Sequence, residues 1–267
     1  MTTENNSTPE RIAEVRLELR NGIAFITFDH VAARNAMTVG MYQSLKSICV
    51  DLAKNSKAKV AILRGAGGKS FVSGSDIAQF SSFTSGEDGI SYEEGIDQYL
   101  APLATLPIPT IAVIDGMAVG GGLAIAGCCD FRISTPDARF GVPIAKTLGN
   151  CLSAGNVAWL VAHLGSNIVK RMLLLAELVT APELLKQGYL LATYPAENLE
   201  TEANQLAERL MKLAPITQKS TKLTLARLIK NNLPDCSDLI RECYGSGDFK
   251  NGVSAFLDGK PPVWTGK

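Results

Sequence analysis

The chain has 267 residues, 46% of them apolar and 19% charged, the balance of an ordinary globular protein long enough to bury a large core. Lysine plus arginine and aspartate plus glutamate both number 26, so the net charge is zero and excludes any charge-based argument for nucleic acid or an anionic membrane surface as partner. The six cysteines form no CxxC pair and the two histidines, His30 and His163, stand far apart, so no metal-ligand spacing is present and free thiols in a reducing, cytoplasmic setting are expected.

Residues 1–10 are polar, lack the apolar segment of a secretory signal, and are expected to be flexible. EVRLEL (14–19) and IAFITF (23–28) read as strands joined by the hairpin signal Asn21-Gly22. After a loop at 30–37, a helix is predicted over 39–54, with Met41, Leu45, Ile48, Leu52 and Ala53 on one face. A third strand covers 59–64, a glycine-rich turn 65–69, and FVSGSDI (71–77) is a short strand running into a loop. FSSFTSGEDGIS (80–91) reads as a mobile loop, followed by a helix at 92–105 that Pro107 and Pro109 stop. On that helix Glu94 and Asp97 are neighbours at i and i+3, the pattern of a solvated acidic face.

The stretch 109–131, PTIAVIDGMAVGGGLAIAGCCDF, organises the rest. It begins as a buried β-branched strand, turns at Asp115-Gly116, passes three consecutive glycines at 120–122 and ends as a buried helix. Asp115, the glycine content and the lack of a basic flank argue against a membrane span. Three glycines at a strand-to-helix crossing cost stability. They serve either a close helix contact or a site that needs bare backbone, since a helix start offers free N–H groups to a developing negative charge. Further strands are predicted at 131–134 and 138–141, then helices at 153–163, 166–176, 181–187, 201–213, 215–231, 236–244 and 249–257. Strands fill the first half and helices the second. The expected architecture is an α/β core over 11–200 with a helical region at 201–267.

A second glycine site, Ser73-Gly74-Ser75-Asp76, lies at a strand end. It reads either as a tight turn capped by Asp76 or as a second amide donor converging with 120–122 on one oxygen. The pieces ARNAM (33–37), GGKSFVSGSDI (67–77), PTIAVIDGMAVGGGLAIAGCCDFRI (109–133), ARFGVP (138–143) and GVSAFLDGKPPVWTG (252–266) resemble, in order, the crotonase (enoyl-CoA hydratase/isomerase) superfamily. The resemblance implies a spiral of ββα units, coenzyme A thioester substrates with no separate cofactor, and homotrimers or dimers of trimers. It implies an oxyanion hole made by the amides of Ser75 and Gly121. It also implies a binding region including Ser73, Asp76, Ile77 and Gly120, with Arg34 and Lys69 as candidates for the coenzyme A phosphates.

The sequence departs from that family where acid–base chemistry is expected. The resemblance places two catalytic glutamates at positions here occupied by Ala124 and by Ile144 or Ala145, and no carboxylate lies between Ala138 and Glu177. Lys146, Asn150 and Ser153 are the candidates that crowd the affected segment, Lys146 as a base if burial lowers its pKa and Asn150 and Ser153 as hydrogen-bonding groups. Cys151 reads as a packed thiol rather than a nucleophile, because no histidine is near in sequence to ionise it. The helix at 92–105 is another source of candidates, since the resemblance implies that Tyr92, Glu93, Glu94, Asp97 and Tyr99 lie near the wall of the acyl pocket, although their acidic pattern reads first as a solvated face. Three readings stay open: a hydratase/isomerase-type lyase or isomerase, a decarboxylase working through the same enolate, and a protein that binds coenzyme A thioesters without turnover.

Overall fold

The computed structural model describes residues 13–55, 57–231 and 233–266, so the expected flexible stretch at 1–10 lies outside the described residues. The chain opens with an antiparallel hairpin, β1 (Glu14–Arg20) and β2 (Ile23–Asp29), turned by Asn21 and Gly22, both at positive φ. α1 (Val39–Lys54) follows, its N-terminus capped by Thr38 and its apolar face buried through Met41, Leu45, Cys49 and Leu52.

From there the chain repeats one unit: a strand in one sheet, a strand in a second, then a helix. β3 (Val60–Gly65) and β4 (Ser70–Val72) lead to α2 (Gly86–Ala104), and β5 (Thr110–Ile114) and β6 (Met117–Val119) lead to α3 (Gly121–Cys128). β7 (Phe131–Ser134) and β8 (Arg139–Gly141) lead to α4 (Ile144–Thr147) and α5 (Ala154–Leu174). β9 (Val179–Thr180), α6 (Ala181–Lys186) and β10 (Ala192–Thr193) close the series. Among the described residues one sheet has the order β1-β2-β3-β5-β7-β10 and the other β4-β6-β8-β9. Pairings are parallel except for the opening hairpin and β8 with β9. This is the expected spiral of ββα units.

The central strands are apolar throughout because both faces are covered. In β5, Ala112 and Ile114 join the main core, while Ile111 and Val113 pack beneath α7 (Leu199–Met211) through Leu199, Ala203, Ala207 and Leu210. α8 (Pro215–Lys230) is anchored by Lys222, whose Nζ is buried 2.7 Å from Asp130 Oδ2 and also donates to the Ile108 carbonyl and Thr110 Oγ1. α9 (Ser237–Gly245) and α10 (Gly247–Leu257) fold back over α2, where Tyr244, Phe249 and Val253 join Phe80 and Leu148 in a separate apolar cluster.

The segment 80–91 is not a loop. Its first residues end a 3₁₀ turn over Ile77–Ser82, and α2 starts at Gly86, behind a capping box in which Ser85 and Asp88 satisfy each other's backbone groups. Gly86 and Gly89, which suggest a loop in the sequence, are packing residues. A β-carbon on Gly86 would overlap the Arg241 backbone and one on Gly89 the Tyr244 ring, so these glycines let α9 approach α2. The two helices expected at 153–163 and 166–176 run as α5, broken by Gly165 at φ 74°.

Candidate active site

The two glycine loops meet at the end of the spiral. Gly74 has φ 115° and Gly120 has φ 55° with ψ −120°, conformations that side-chain-bearing residues rarely adopt. The loops abut: a β-carbon on Gly120 would lie 3.5 Å from Gly74 Cα, and one on Gly121 3.5 Å from Ser75 Oγ. That same β-carbon would overlap the Tyr42 hydroxyl, and one on Gly122 the Val72 carbonyl. The triple glycine therefore serves both readings raised by the sequence, close packing and bare backbone.

Several groups beside the two candidate amides are already committed. Met37 N donates to the Gly74 carbonyl, Asp76 N to the Met37 carbonyl, and Gly120 N to the Gly141 carbonyl. Ser75 N and Gly121 N have no acceptor among the described residues. Ser75 turns its hydroxyl aside, 3.0 Å from Tyr42 Oη and 2.7 Å from Tyr92 Oη. Burial pushes the Tyr42 phenol up to about 12 and the Tyr92 phenol well above its ordinary value, so both stay neutral hydrogen-bonding groups.

Both loops border a cavity of about 270 Å³. Its wall is mainly apolar, with Ile96, Val119, Val142, Leu152 and Leu160, and Phe256 of α10 reaches in from the C-terminal helices. Such a pocket suits an acyl chain. Ala124 and Ile144 line it too, while Ala145 is exposed. Of the residues singled out from the sequence, Ser73, Ser75, Asp76, Ile77, Gly120, Gly121 and Asn150 border the cavity. Ser73 Oγ donates to the Ala33 carbonyl and Asp76 caps the following 3₁₀ turn, so their side chains shape the loop. Arg34 and Lys69 are exposed, and neither forms an ion pair among the described residues. Arg34 lies between Ala33 and Ala36, which both border the cavity.

Two candidates stand elsewhere. Lys146 is exposed on α4 and does not border the cavity, since the short helix turns it outward. Ser153 is buried behind the wall as the cap of α5, its hydroxyl donating to Asp97 Oδ1 (3.0 Å) and accepting from Asn156 N. The Cys151 thiol is pushed up, first by its contact with Cys243 and then by burial, which suits the packed thiol expected of it.

Glu93, one of the α2 residues whose pattern reads as a solvated acidic face, is not solvated. It is only 2% exposed and borders the cavity, although its neighbour Glu94 is exposed as expected of an acidic face. Tyr244 Oη donates to Glu93 Oε1 (2.7 Å) and Ser153 N to Oε2 (2.7 Å). Asn150 Nδ2 in turn donates to Tyr244 Oη (3.1 Å), and Asn150 Oδ1 is buried without a partner. Burial pushes the Glu93 carboxyl up to about 7, against the hydrogen bonds from Tyr244 and Ser153 that favour its charged form. Asp97, one turn on, is also raised by burial.

At the end of a spiral of ββα units, two glycine loops, each with an amide that has no acceptor among the described residues, thus border one apolar cavity. The family model for enoyl-CoA hydratase/isomerase matches residues 18–267, and the chain belongs to that family. It is 28% identical to the short-chain-enoyl-CoA hydratase of Clostridium acetobutylicum, over 91% of this chain and 94% of that one. It is 29% identical to the (E)-benzylidenesuccinyl-CoA hydratase of Thauera aromatica, over 94% and 99%. Among solved structures, a methylmalonyl-CoA decarboxylase in complex with 2-nitronate-propionyl-CoA aligns with a TM-score of 0.86 and 26% identity, covering 95% of this chain and 98% of that one. An enoyl-CoA hydratase/carnitine racemase from Magnetospirillum magneticum aligns at 0.77 with 27% identity, over 95% and 96%.

Proposed function

We propose that this protein binds acyl-CoA thioesters and stabilises their enolates through the amides of Ser75 and Gly121. The observation that carries the reading is the pair of uncommitted N–H groups on two abutting loops, each next to an amide, Asp76 N or Gly120 N, that is hydrogen-bonded to backbone. A thioester oxygen gaining charge needs fixed donors of this kind, and losing one costs on the order of 10²–10³ in rate. The resemblance puts the usual glutamates at Ala124 and at Ile144 or Ala145, alkyl side chains that cannot move a proton, so on this reading water activation by the usual carboxylate pair has no groups to perform it.

Decarboxylation is the second reading. It forms an enolate by losing carbon dioxide and needs the amides more than a base, and the likeness to a methylmalonyl-CoA decarboxylase favours it. The test is incubation in deuterium oxide with acetyl-, butyryl-, octanoyl-, phenylacetyl- and methylmalonyl-CoA. Deuterium at the α-carbon, or carbon dioxide release from the last, supports enolate chemistry. Binding of these thioesters with neither result assigns the protein to the third reading, a carrier without turnover.

Arg34, with Lys69 behind it, would meet the coenzyme A phosphates, and neutralising Arg34 should weaken binding of the thioester but not of the pantetheine analogue. We further propose association as homotrimers. Leu213, Ile216, Leu225 and Leu228 in and before α8 are more than half exposed, more apolar surface than a lone chain usually leaves in one region. The expected mass by light scattering is three, or six, times that of the 28.4 kDa chain.

A further inference from the structure

We propose that Glu93 is the proton-transferring group of this site, a general acid–base carried on α2. The inference rests on the enolate reading above and names the base that reading lacks. Among the residues bordering the cavity, the carboxyl groups are Asp76 and Glu93. Asp76 Oδ1 is committed to capping Ala78 N. Glu93 is buried in the wall, next in sequence to the tyrosine that holds Ser75.

Its surroundings are built for a carboxyl group that changes charge. One oxygen takes the Tyr244 hydroxyl and the other the Ser153 amide at the start of α5, where the helix dipole favours an anion. Each oxygen keeps a lone pair for a proton. Tyr244 is held by Asn150 Nδ2, so the hydroxyl's donation to Glu93 is fixed from behind. The titratable groups facing Glu93 are Tyr42 from α1, Tyr92 and Asp97 from α2, Cys151 from the loop before α5, and Cys243 and Tyr244 from α9. None of them is a cation, so burial prevails over the hydrogen bonds and both protonation states are populated near neutrality.

The step balances within the site. A Glu93 carboxylate oxygen takes the α-proton, and the C–H electron pair becomes the carbon–carbon double bond of the enolate. The thioester oxygen takes the negative charge between the Ser75 and Gly121 amides. The carboxylic acid so formed returns its proton to carbon, at the same or the vinylogous position.

The test follows α-proton exchange of butyryl-CoA in deuterium oxide by mass spectrometry, alongside binding by calorimetry. Glu93→Gln keeps the shape and an acceptor for Ser153, so it should bind butyryl-CoA within about threefold of the parent and exchange at least 100-fold more slowly. Glu93→Asp should recover part of the rate. Tyr244→Phe removes a donor to the carboxylate and should move the inflection of the pH–rate profile upward, which a purely structural glutamate would not do. Exchange at the parent rate in Glu93→Gln, loss of binding together with exchange, or an unmoved profile in Tyr244→Phe would each overturn the assignment to Glu93 and leave the enolate reading in place. An unsubstituted protein that exchanges none of the thioesters named above, and releases no carbon dioxide, would overturn the enolate reading itself.

Discussion

The Tyr42 hydroxyl occupies the space that a β-carbon on Gly121 would need, and it is held there 3.0 Å from Ser75 Oγ. One phenol thus forces glycine at one loop and fixes the side chain of the other. Gly121→Pro, the direct way to delete an amide donor, would clash before it tested anything. With Tyr42→Phe the obstacle is gone, because the ring carbon lies 3.4 Å from the added β-carbon, a tight but tolerable contact. In that background Gly121→Ala should keep most of the α-exchange rate and Gly121→Pro should lose about 10²–10³ of it. Equal rates in the two double variants would remove Gly121 from the oxyanion hole.

The two-glycine seam between α2 and α9 makes opposite predictions for neighbouring positions. Gly89→Ala drives a methyl group into the Tyr244 ring and should cost roughly 1–3 kcal/mol, as overpacking does, while weakening thioester binding. Gly95→Ala on the same helix meets Tyr99 at an ordinary 3.6 Å and should stabilise by up to about 1 kcal/mol through helix propensity alone. Thermal or urea unfolding of the pair checks both.

Glu93 also sets a pH dependence of stability. Its folded pKa, pushed up to about 7, lies above its unfolded value of about 4.5, so between these the folded chain binds more protons than the unfolded one. The glutamic acid's favourable contribution is therefore full below pH about 4.5, declines as pH rises, and is gone above about 7. The total is on the order of 3 kcal/mol. Urea unfolding at a series of pH values should show this decline in the parent protein and its absence in Glu93→Gln.

Lys222 ties α8 to the end of β5 through buried contacts. Lys222→Met should destabilise by about 3 kcal/mol, since Asp130 is left partly buried without its cation. Adding Asp130→Asn should recover much of the loss, because Thr110 still supplies an amide and a hydroxyl to that position. Equal unfolding midpoints for the parent and the single variant would show the pair to be incidental.

Much of the scaffold is legible locally. The Asn-Gly hairpin, the helix at 39–54 and the strand–glycine–helix run at 109–131 depend on neighbouring residues, and each forms where its pattern places it. β6 is too short for a periodicity to register, and α4 spans a single turn. The segment 80–91 misleads because glycine marks loops in sequence yet here makes room for a helix arriving from residues 237–245. Glu93 shows the same limit at the site. Alternation on a helix says which residues share a face, but its burial is decided by Ser153, 60 residues on, and Tyr244, 151 residues on. The outward turn of Lys146 is likewise set by how α4 docks, which spacing alone does not encode.

The hydroxyl that closes over Glu93 comes from α9, so the spiral and the chamber are finished at different times during synthesis. Until residues 237–257 emerge and dock, Glu93 lacks the Tyr244 hydroxyl that binds its Oε1. A ribosome-bound chain would then carry both glycine loops before Glu93 has all of its hydrogen-bond partners. On the role proposed for Glu93, the last helices would be needed for catalysis although they lie outside the spiral.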